Sequence, residues 1–274
     1  MITRVITALV GLPALFTIIW LGNPLFSVML VAIAAIGAWE FCQVAKRADK
    51  KPMTRFATIW SALFIVASYI LTTNSSGVNH IVFMALNAMI ATSGIIISGL
   101  YVIIYHPHGT KLSNWVTTIS ASLYTGGLIS YSVLILNLDH GREWICVLIL
   151  AVFANDTLAF LTGRYLGKTP LAPNTSPGKT IEGAVGGIFG ALLTSLATIT
   201  IFDLETHLLG VIVLGILIGI TAQGGDLLES KIKRHFDVKD SGWIIPGHGG
   251  ILDRLDSIVF NLVLVYYFII WATQ

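Results

Sequence analysis

The sequence has 274 residues, of which 55% are hydrophobic and only 11% are Asp, Glu, Lys or Arg. Soluble domains have about 45–50% apolar and about 25% charged residues, so the mean hydropathy of +0.83 places the chain among integral membrane proteins. The length leaves no room for a separate soluble domain beside spans of about 20 residues each. The formal net charge of +2 is small and indicates nothing by itself. For a chain of this membrane class we expect no nucleic-acid partner.

Apolar runs separated by short polar or Gly/Pro segments predict an all-α integral membrane protein with about nine transmembrane helices. The loop at residues 163–180 is rich in Pro, Gly, Ser and Thr, and residues 139–144 are also predicted to be a loop. Glycines spaced four residues apart in the seventh and eighth spans are typical of close helix packing. The predicted spans cover residues 5–22, 25–44, 56–72, 80–105, 116–138, 145–165, 181–202, 208–234 and 251–274.

The basic residues predict the orientation. With nine spans and the 46–55 loop in the cytoplasm, only Arg142 of the 16 Lys and Arg residues falls outside. The positive-inside rule therefore predicts a cytoplasmic N-terminus and a catalytic site at the cytoplasmic face. We divide the chain into N-terminal transmembrane helices at 1–140 and a C-terminal transmembrane region at 141–274.

Charged residues are concentrated between Gly224 and Ser257, a stretch with six carboxylates. Asp253 and Asp256 lie three residues apart at a helix start and share a face, and Asp226 reaches the same boundary from the preceding span. Neighbouring carboxylates repel each other unless a cation lies between them, and Mg²⁺ prefers oxygen ligands. The pattern predicts a metal site, although acids that merely cap the positive helix end are the alternative.

The same stretch has the features of a phosphate-binding segment. His248, Gly249 and Gly250 lie in a turn before the ninth helix, where backbone N–H groups can approach an anion. Basic side chains supply positive partners for phosphate. The alternative for Lys233 is a solvated flank that binds anionic lipid headgroups. The basic residues that this pattern assigns to phosphate are Lys233, Arg234 and Lys239.

A polar pair, Asn155 and Asp156, lies inside the sixth predicted span. Polar groups at that depth are costly and indicate function, while an interhelical hydrogen bond or an ion pair with Arg164 or Lys168 is the alternative. By contrast, Glu40 on the second span has no visible partner. We expect Glu40 to be an interfacial acid whose side chain extends toward water.

The segment Ser176–Thr180 places a glycine, a lysine and a hydroxyl beside the start of the seventh span. It ends like a Walker A motif but has Pro173 where that motif needs its first glycine, so a P-loop is not predicted. Thr180 equally fits an ordinary N-cap, with Glu182 complementing the helix dipole in the first turn.

The segment from Ser230 to Asp256 resembles the signature of phosphatidate cytidylyltransferases, also called CDP-diacylglycerol synthases. Upstream residues resemble other motifs of that family, whereas residues 1–140 resemble it only as a set of hydrophobic spans. The matching positions are Ser230-x-Ile232-Lys233-Arg234, Lys239-Asp240-Ser241-Gly242, Ile245 to Ile251, Asp253-Arg254-Leu255-Asp256, Asn155-Asp156, Ser176-Pro177-x-Lys179-Thr180 and Gly225-Asp226-Leu227.

The resemblance implies a multi-pass homodimer of the inner (plasma) membrane, in which residues 1–140 provide the scaffold, lipid access and dimer contacts and residues 141–274 form the catalytic region. It implies a reaction that converts CTP and phosphatidate to CDP-diacylglycerol and pyrophosphate. The reaction would require Mg²⁺, and the use of a second cation is left open. It implies that Asp226, Asp253 and Asp256 bind metal, with Asp156 completing or supporting the site. The residues assigned to substrates are Asn155, Lys168, Ser176, Lys179, Thr180, Lys233, Arg234, Lys239, His248, Gly249, Gly250 and Arg254.

Two other classes of function are compatible with parts of this pattern. A CTP-dependent lipid-alcohol kinase, or a cytidylyltransferase for another lipid phosphate, would use similar metal and phosphate residues. A transporter is disfavoured because the charges cluster at one face and no internal repeat is visible.

Overall fold

The computed structural model describes residues 2–74, 80–105, 112–236, 238, 241–244 and 249–272. These residues form α-helices, one π-helical turn and two short strands. The elements are α1 (Ile2–Leu21), α2 (Leu25–Arg47), α3 (Thr54–Asn74), α4 (His80–Tyr105), α5 (Leu112–Ser122), the π-helical turn (Leu123–Gly127), α6 (Ser130–Leu136), α7 (Gly141–Leu166), β1 (Pro170–Ala172), β2 (Ser176–Thr180), α8 (Ile181–Ile201), α9 (Leu208–His235), α10 (Leu252–Leu255) and α11 (Val259–Ala272).

In the described part of the chain, eight helical segments are long and apolar enough to cross a membrane. One of them, Leu112–Leu136, combines α5, the π-helical turn and α6, and another, Leu252–Ala272, combines α10 and α11. The first helix contributes a shorter apolar segment, Leu9–Leu21. The predicted all-helical, multi-pass membrane fold is confirmed, while the count of nine spans and the orientation stay predictions.

Two predicted loops contain regular structure. The 163–180 loop includes an antiparallel pair in which Pro170 lies opposite Thr180 and Ala172 opposite Ser176. The predicted 139–144 loop is partly wrong, because α7 begins at Gly141. The polar residues of that helix start, including Glu143, occupy the first turn, where an acid is favourable beside the helix dipole.

The chain divides into two compact units. The first comprises Met1–Leu138 with His235–Asp253, and the second Asp139–Arg234 with Arg254–Gln274. In the first unit α2 packs on α3, and small polar side chains join neighbouring helices. Ser61 Oγ lies 3.1 Å from the Ala34 carbonyl oxygen, to which it donates, and 2.8 Å from Thr125 Oγ1.

In the second unit α7 and α8 lie in unusually close contact. A Cβ atom added at Gly183 would lie 2.8 Å from the Ala159 carbonyl oxygen, and one at Gly190 would lie 2.9 Å from the Ala154 carbonyl oxygen. On α9, a Cβ at Gly219 would be 2.8 Å from the Cα of Ile188 on α8. The glycines predicted to mark helix packing therefore do so, because no larger residue fits at these crossings.

Candidate active site

A cavity of about 420 Å³ opens in the second unit between α7, the β1–β2 hairpin, α8 and α9. Its polar lining is supplied by residues from separate stretches of sequence, and the hairpin forms one wall. The polar and charged residues that line it are Asn155, Asp156, Arg164, Lys179, Thr180, Gln223 and Asp226. Five of these seven carry roles assigned from the sequence, so folding brings the two upstream motifs against α9.

An ion pair joins the hairpin to α9 at this cavity. Lys179 Nζ lies 2.6 Å from Asp226 Oδ2, and the two side chains are 25% and 35% exposed. Ser230, one turn further along α9, donates from Oγ to Asp226 Oδ1 at 3.3 Å. The Asp226 side chain is partly exposed to the cavity, whereas the Lys179 Nζ atom is buried at its contact with Asp226, so the pair is already held in position.

A partly buried hydrogen-bond network forms part of the cavity lining. The Asn155 side chain is fully buried; its Nδ2 donates to Asp156 Oδ1 and its Oδ1 accepts from Gln223 Nε2, both at 3.0 Å. Gln223 Nε2 also donates to the Ala184 carbonyl at 2.9 Å. The side-chain oxygen of Asn155 thus links α7 with α9, which agrees with the alternative that this polar pair makes an interhelical hydrogen bond. Asp156 shares that network and stays available at the cavity.

Gln223 was missed by the sequence analysis. It lies three residues before Asp226, hence on the same side of α9. An amide inside an apolar span is itself a signal that could have been used.

Asp256 follows α10 in the second unit and is buried. Its Oδ1 accepts from the Ser257 N–H at 2.7 Å and from Ser257 Oγ at 3.3 Å. α9 passes directly behind this turn, since a Cβ at Gly225 would collide with the Asp256 carbonyl oxygen. The carboxylate is also an electrostatic neighbour of Asp156 and Asp226.

The donor set suits a hard divalent cation. Asp156, Asp226 and Asp256 supply carboxylate oxygens, which Mg²⁺ prefers, and their mutual repulsion is relieved by positive charge. In the part of the chain that is described, no group of three or more His, Cys, Asp or Glu side chains is already arranged to hold a metal ion. The metal assignment therefore stays a prediction.

Asp253 lies in the first unit, where it closes the loop that precedes α10. Its Oδ2 accepts from the Gly250 N–H and from Ser241 Oγ, both at 2.8 Å, and from the Ser241 N–H at 3.1 Å. Gly249 has a φ of +85°, a left-handed conformation that favours glycine. The Asp253 carboxylate thus organises the loop, and its role as a metal ligand stays a prediction.

The prediction for Glu40 was wrong. The side chain is fully buried, and its Oε2 accepts from the Leu252 N–H at 2.9 Å. Both Gly242 and Gly250 lie so close to this carboxylate that neither has space for a Cβ. The sequence could not reveal the partner because it is a backbone N–H far along the chain.

The hairpin is fixed at its base by Glu182. This carboxylate accepts from the Lys168 N–H at 3.1 Å and the Thr169 N–H at 3.2 Å, while Thr180 caps α8 by accepting from the Gly183 N–H at 3.1 Å. The N-cap alternative for Thr180 is confirmed. Glu182 lies in the first turn of α8, as expected for an acid that complements the helix dipole, and it also binds the start of the loop.

The remaining assigned residues that the structure describes lie in the second unit. Lys233 pairs with Glu229 through a 2.7 Å contact on α9. Ser176 lies in β2, opposite Ala172. Lys168, Arg234 and Arg254 have exposed side chains. Lys239 and His248 lie outside the described residues.

Comparison with known proteins decides the family. Residues 2–271 match the profile described as the cytidylyltransferase family. The chain belongs to this family. It is 30% identical over 97% of its length to the phosphatidate cytidylyltransferase of Synechocystis sp., covering 96% of that protein.

Shorter and closer matches connect the chain to other cytidylyltransferases. The phosphatidate cytidylyltransferase of Bacillus subtilis is 41% identical over 54% of this chain and 55% of its own length. That of Staphylococcus saprophyticus is 45% identical over 46% of this chain and 49% of its own. The resemblance stated from the motifs is confirmed.

Proposed function

We propose that this member of the cytidylyltransferase family is a phosphatidate cytidylyltransferase, which transfers CMP from CTP to phosphatidate. The single observation that carries the proposal is the match of 97% of the chain to a relative of that name. The charge and position of the cavity agree with it, since Lys179 and Arg164 favour a polyphosphate and the surrounding helices are apolar enough for a bilayer.

The reaction is an in-line displacement at phosphorus. A phosphate oxygen of phosphatidate forms a bond to the α-phosphorus of CTP, while the bond from that phosphorus to the bridging oxygen breaks. The electron pair leaves with pyrophosphate. The attacking phosphate is already ionised at neutral pH, so the residues need to position charges and have no proton to remove.

The Lys179–Asp226 ion pair would be broken when CTP binds in the cavity. A triphosphate that enters competes with Asp226 for the Lys179 ammonium group, because both are anions that bind the same donor. When Lys179 turns to the nucleotide, the Asp226 carboxylate becomes available to a cation. Binding of the nucleotide and of the metal would then support each other.

Magnesium belongs to the same proposal. Asp226 and Asp256 would hold the ion, with Asp156 beside them and Asp253 retained as a predicted ligand. The bound ion would offset the negative charge that develops on pyrophosphate. A second cation, a homodimer, an inner-membrane location and a site that faces the cytoplasm are proposed on the resemblance and on the charge pattern.

The test is a product assay on the full chain purified in detergent. Phosphatidate is supplied with each of the four nucleoside triphosphates, with and without Mg²⁺, and pyrophosphate and CDP-diacylglycerol are measured. We expect both products only in the reaction that contains CTP and Mg²⁺ together with phosphatidate. In a parallel reaction with diacylglycerol in place of phosphatidate, release of CDP with phosphorylation of the alcohol would identify a kinase instead. Pyrophosphate release without preference for CTP would overturn the proposal.

A further inference from the structure

A second cavity, of about 320 Å³, lies within the first unit. It is formed by the last turns of α2 and by residues 241–243, and no residue of it lines the cavity that we assign to CTP. Its lining consists of Trp39, Gln43, Lys46, Arg47, Ser241, Gly242 and Trp243. Neither the proposed transfer nor the metal site uses the side chains that α2 contributes.

The charge of this cavity favours an anion. Lys46 and Arg47 occupy the last turn of α2 with exposed side chains, and Gln43 provides an amide one turn earlier. An Arg guanidinium matches two phosphate oxygens at once, and a Lys ammonium adds a point charge beside it. Basic residues in a last helical turn also complement the helix dipole, but that role does not require a concave, amide-lined surface.

Two exposed indole rings line the same cavity and indicate that it lies near the headgroup level of a membrane. Trp39 and Trp243 are 37% and 77% exposed, and each lines the cavity. Exposed Trp side chains are enriched at the headgroup level of membranes, where one edge of the ring is apolar and the other is hydrated. α2 is one of the apolar, membrane-length helices, and the cavity is at its basic end.

We propose that this cavity binds the phosphate group of an anionic glycerophospholipid, with Lys46 and Arg47 as charged contacts and the two Trp rings as walls. The phosphate and the apolar chains of such a lipid match the two parts of the lining. The proposal rests on the first unit alone and is independent of the catalytic assignment.

The wall opposite α2 is held in place before any ligand binds. Glu40, next to Trp39 on α2, leaves no space for a Cβ at Gly242, so residues 241–243 lie directly against the helix. The Ser241 N–H and hydroxyl both donate to Asp253, which fixes the other side of that segment. A preformed wall lowers the entropy that a ligand must lose on binding.

The experiment is a titration of the purified full chain in detergent, followed by native mass spectrometry. The probes are phosphatidylglycerol, zwitterionic phosphatidylcholine and inorganic phosphate. We expect preferential binding of one phosphatidylglycerol. In Lys46→Gln/Arg47→Gln its affinity should fall about tenfold further than in the control, as expected for the loss of one charge-assisted hydrogen bond.

The matched control is Lys50→Gln/Lys51→Gln, which removes the same charge a few residues away without altering the cavity lining. The Lys51 backbone N–H, which donates to Asn114 Oδ1, is preserved in this variant. The exchanged variant Lys46→Arg/Arg47→Lys should retain most of the binding. An equal loss in the two Gln variants, or inorganic phosphate bound as tightly as the lipid, would overturn the proposal.

Discussion

The Glu40 carboxylate accepts a hydrogen bond of 2.9 Å from the backbone N–H of Leu252, a residue 212 positions further along the chain. Leu252 immediately precedes Asp253, whose carboxylate closes the loop from Ser241 to Gly250. The second helix therefore takes part in shaping the segment that carries the family signature. Although α2 belongs to the predicted N-terminal scaffold, it therefore contributes a contact to this C-terminal segment.

Replacing Glu40 should loosen this loop. In Glu40→Ala the buried Leu252 N–H loses its acceptor, which costs about 1–3 kcal/mol, and thermal unfolding in detergent should begin at a lower temperature. Amide hydrogen exchange at residues 250–253 should accelerate, and turnover should fall with it. The control Asp49→Asn removes an acid from the exposed end of the same region. If Glu40→Ala and Asp49→Asn both unfold and exchange like wild type, the hydrogen bond from Leu252 to Glu40 does not stabilise the loop.

The Lys179–Asp226 pair should be essential to turnover. Asp226→Asn removes a carboxylate that we assign to metal and should lower kcat by about 10³-fold, equivalent to roughly 4 kcal/mol of lost transition-state stabilisation. Lys179→Met should raise the KM for CTP as well. The two effects should be non-additive in the double variant, because the residues are partners.

The exposed Lys231 on α9 supplies the control for the removal of a positive charge. Lys231→Met should leave kcat and the KM for CTP close to wild type. Strict additivity between Asp226→Asn and Lys179→Met would contradict a shared role.

Two adjacent glycines on α9 offer a sharp steric comparison. Gly225→Ala places a methyl group against the Asp256 carbonyl oxygen, whereas a Cβ at Gly224 meets nothing within 4 Å. We expect Gly225→Ala to lose about 1–3 kcal/mol of stability and to displace Asp256. Gly224→Ala should be neutral or gain up to about 1 kcal/mol from helix propensity. Similar unfolding temperatures for the two variants would contradict the close contact.

Glu182 should control the order of the hairpin. Glu182→Gln weakens the hydrogen bonds to the Lys168 and Thr169 N–H groups, since a neutral amide oxygen is a poorer acceptor than a carboxylate. Amide exchange at 168–172 should increase, and the KM for CTP should rise more than kcat falls. Glu205→Gln, an exposed acid beyond α8, is the control. Unchanged exchange at 168–172 would show that β1 and β2 hold the hairpin without Glu182.

Much of this architecture could be predicted from hydropathy. The helices begin and end within a few residues of the predicted spans because apolar length and Gly/Pro punctuation are local signals. The hairpin could not be predicted in the same way. Its strands are short, and the Glu182 carboxylate that binds the Thr169 N–H lies outside both strands. Pro and Gly in this segment are equally typical of an irregular loop.

The site was predictable as a set of residue types but not as a set of contacts. Asp156, Lys179 and Asp226 were singled out for their charge in an apolar chain, and all three line one cavity. The roles of Gln223 and Glu40 depend on partners on other segments. A single sequence contains no local trace of such pairing, because each partner is identified only when the helices pack.

The length of α9 has a consequence for how a lipid substrate meets this protein. Its 28 residues extend for about 42 Å, while the hydrocarbon layer of a bilayer is about 30 Å thick. An α9 that enters the bilayer at Leu208 would bring Asp226 about 27 Å along the axis, close to the opposite edge of a hydrocarbon layer of that thickness. On the proposed function, we therefore expect a diacylglycerol phosphate that is anchored by its own acyl chains to reach Asp226 without leaving its leaflet.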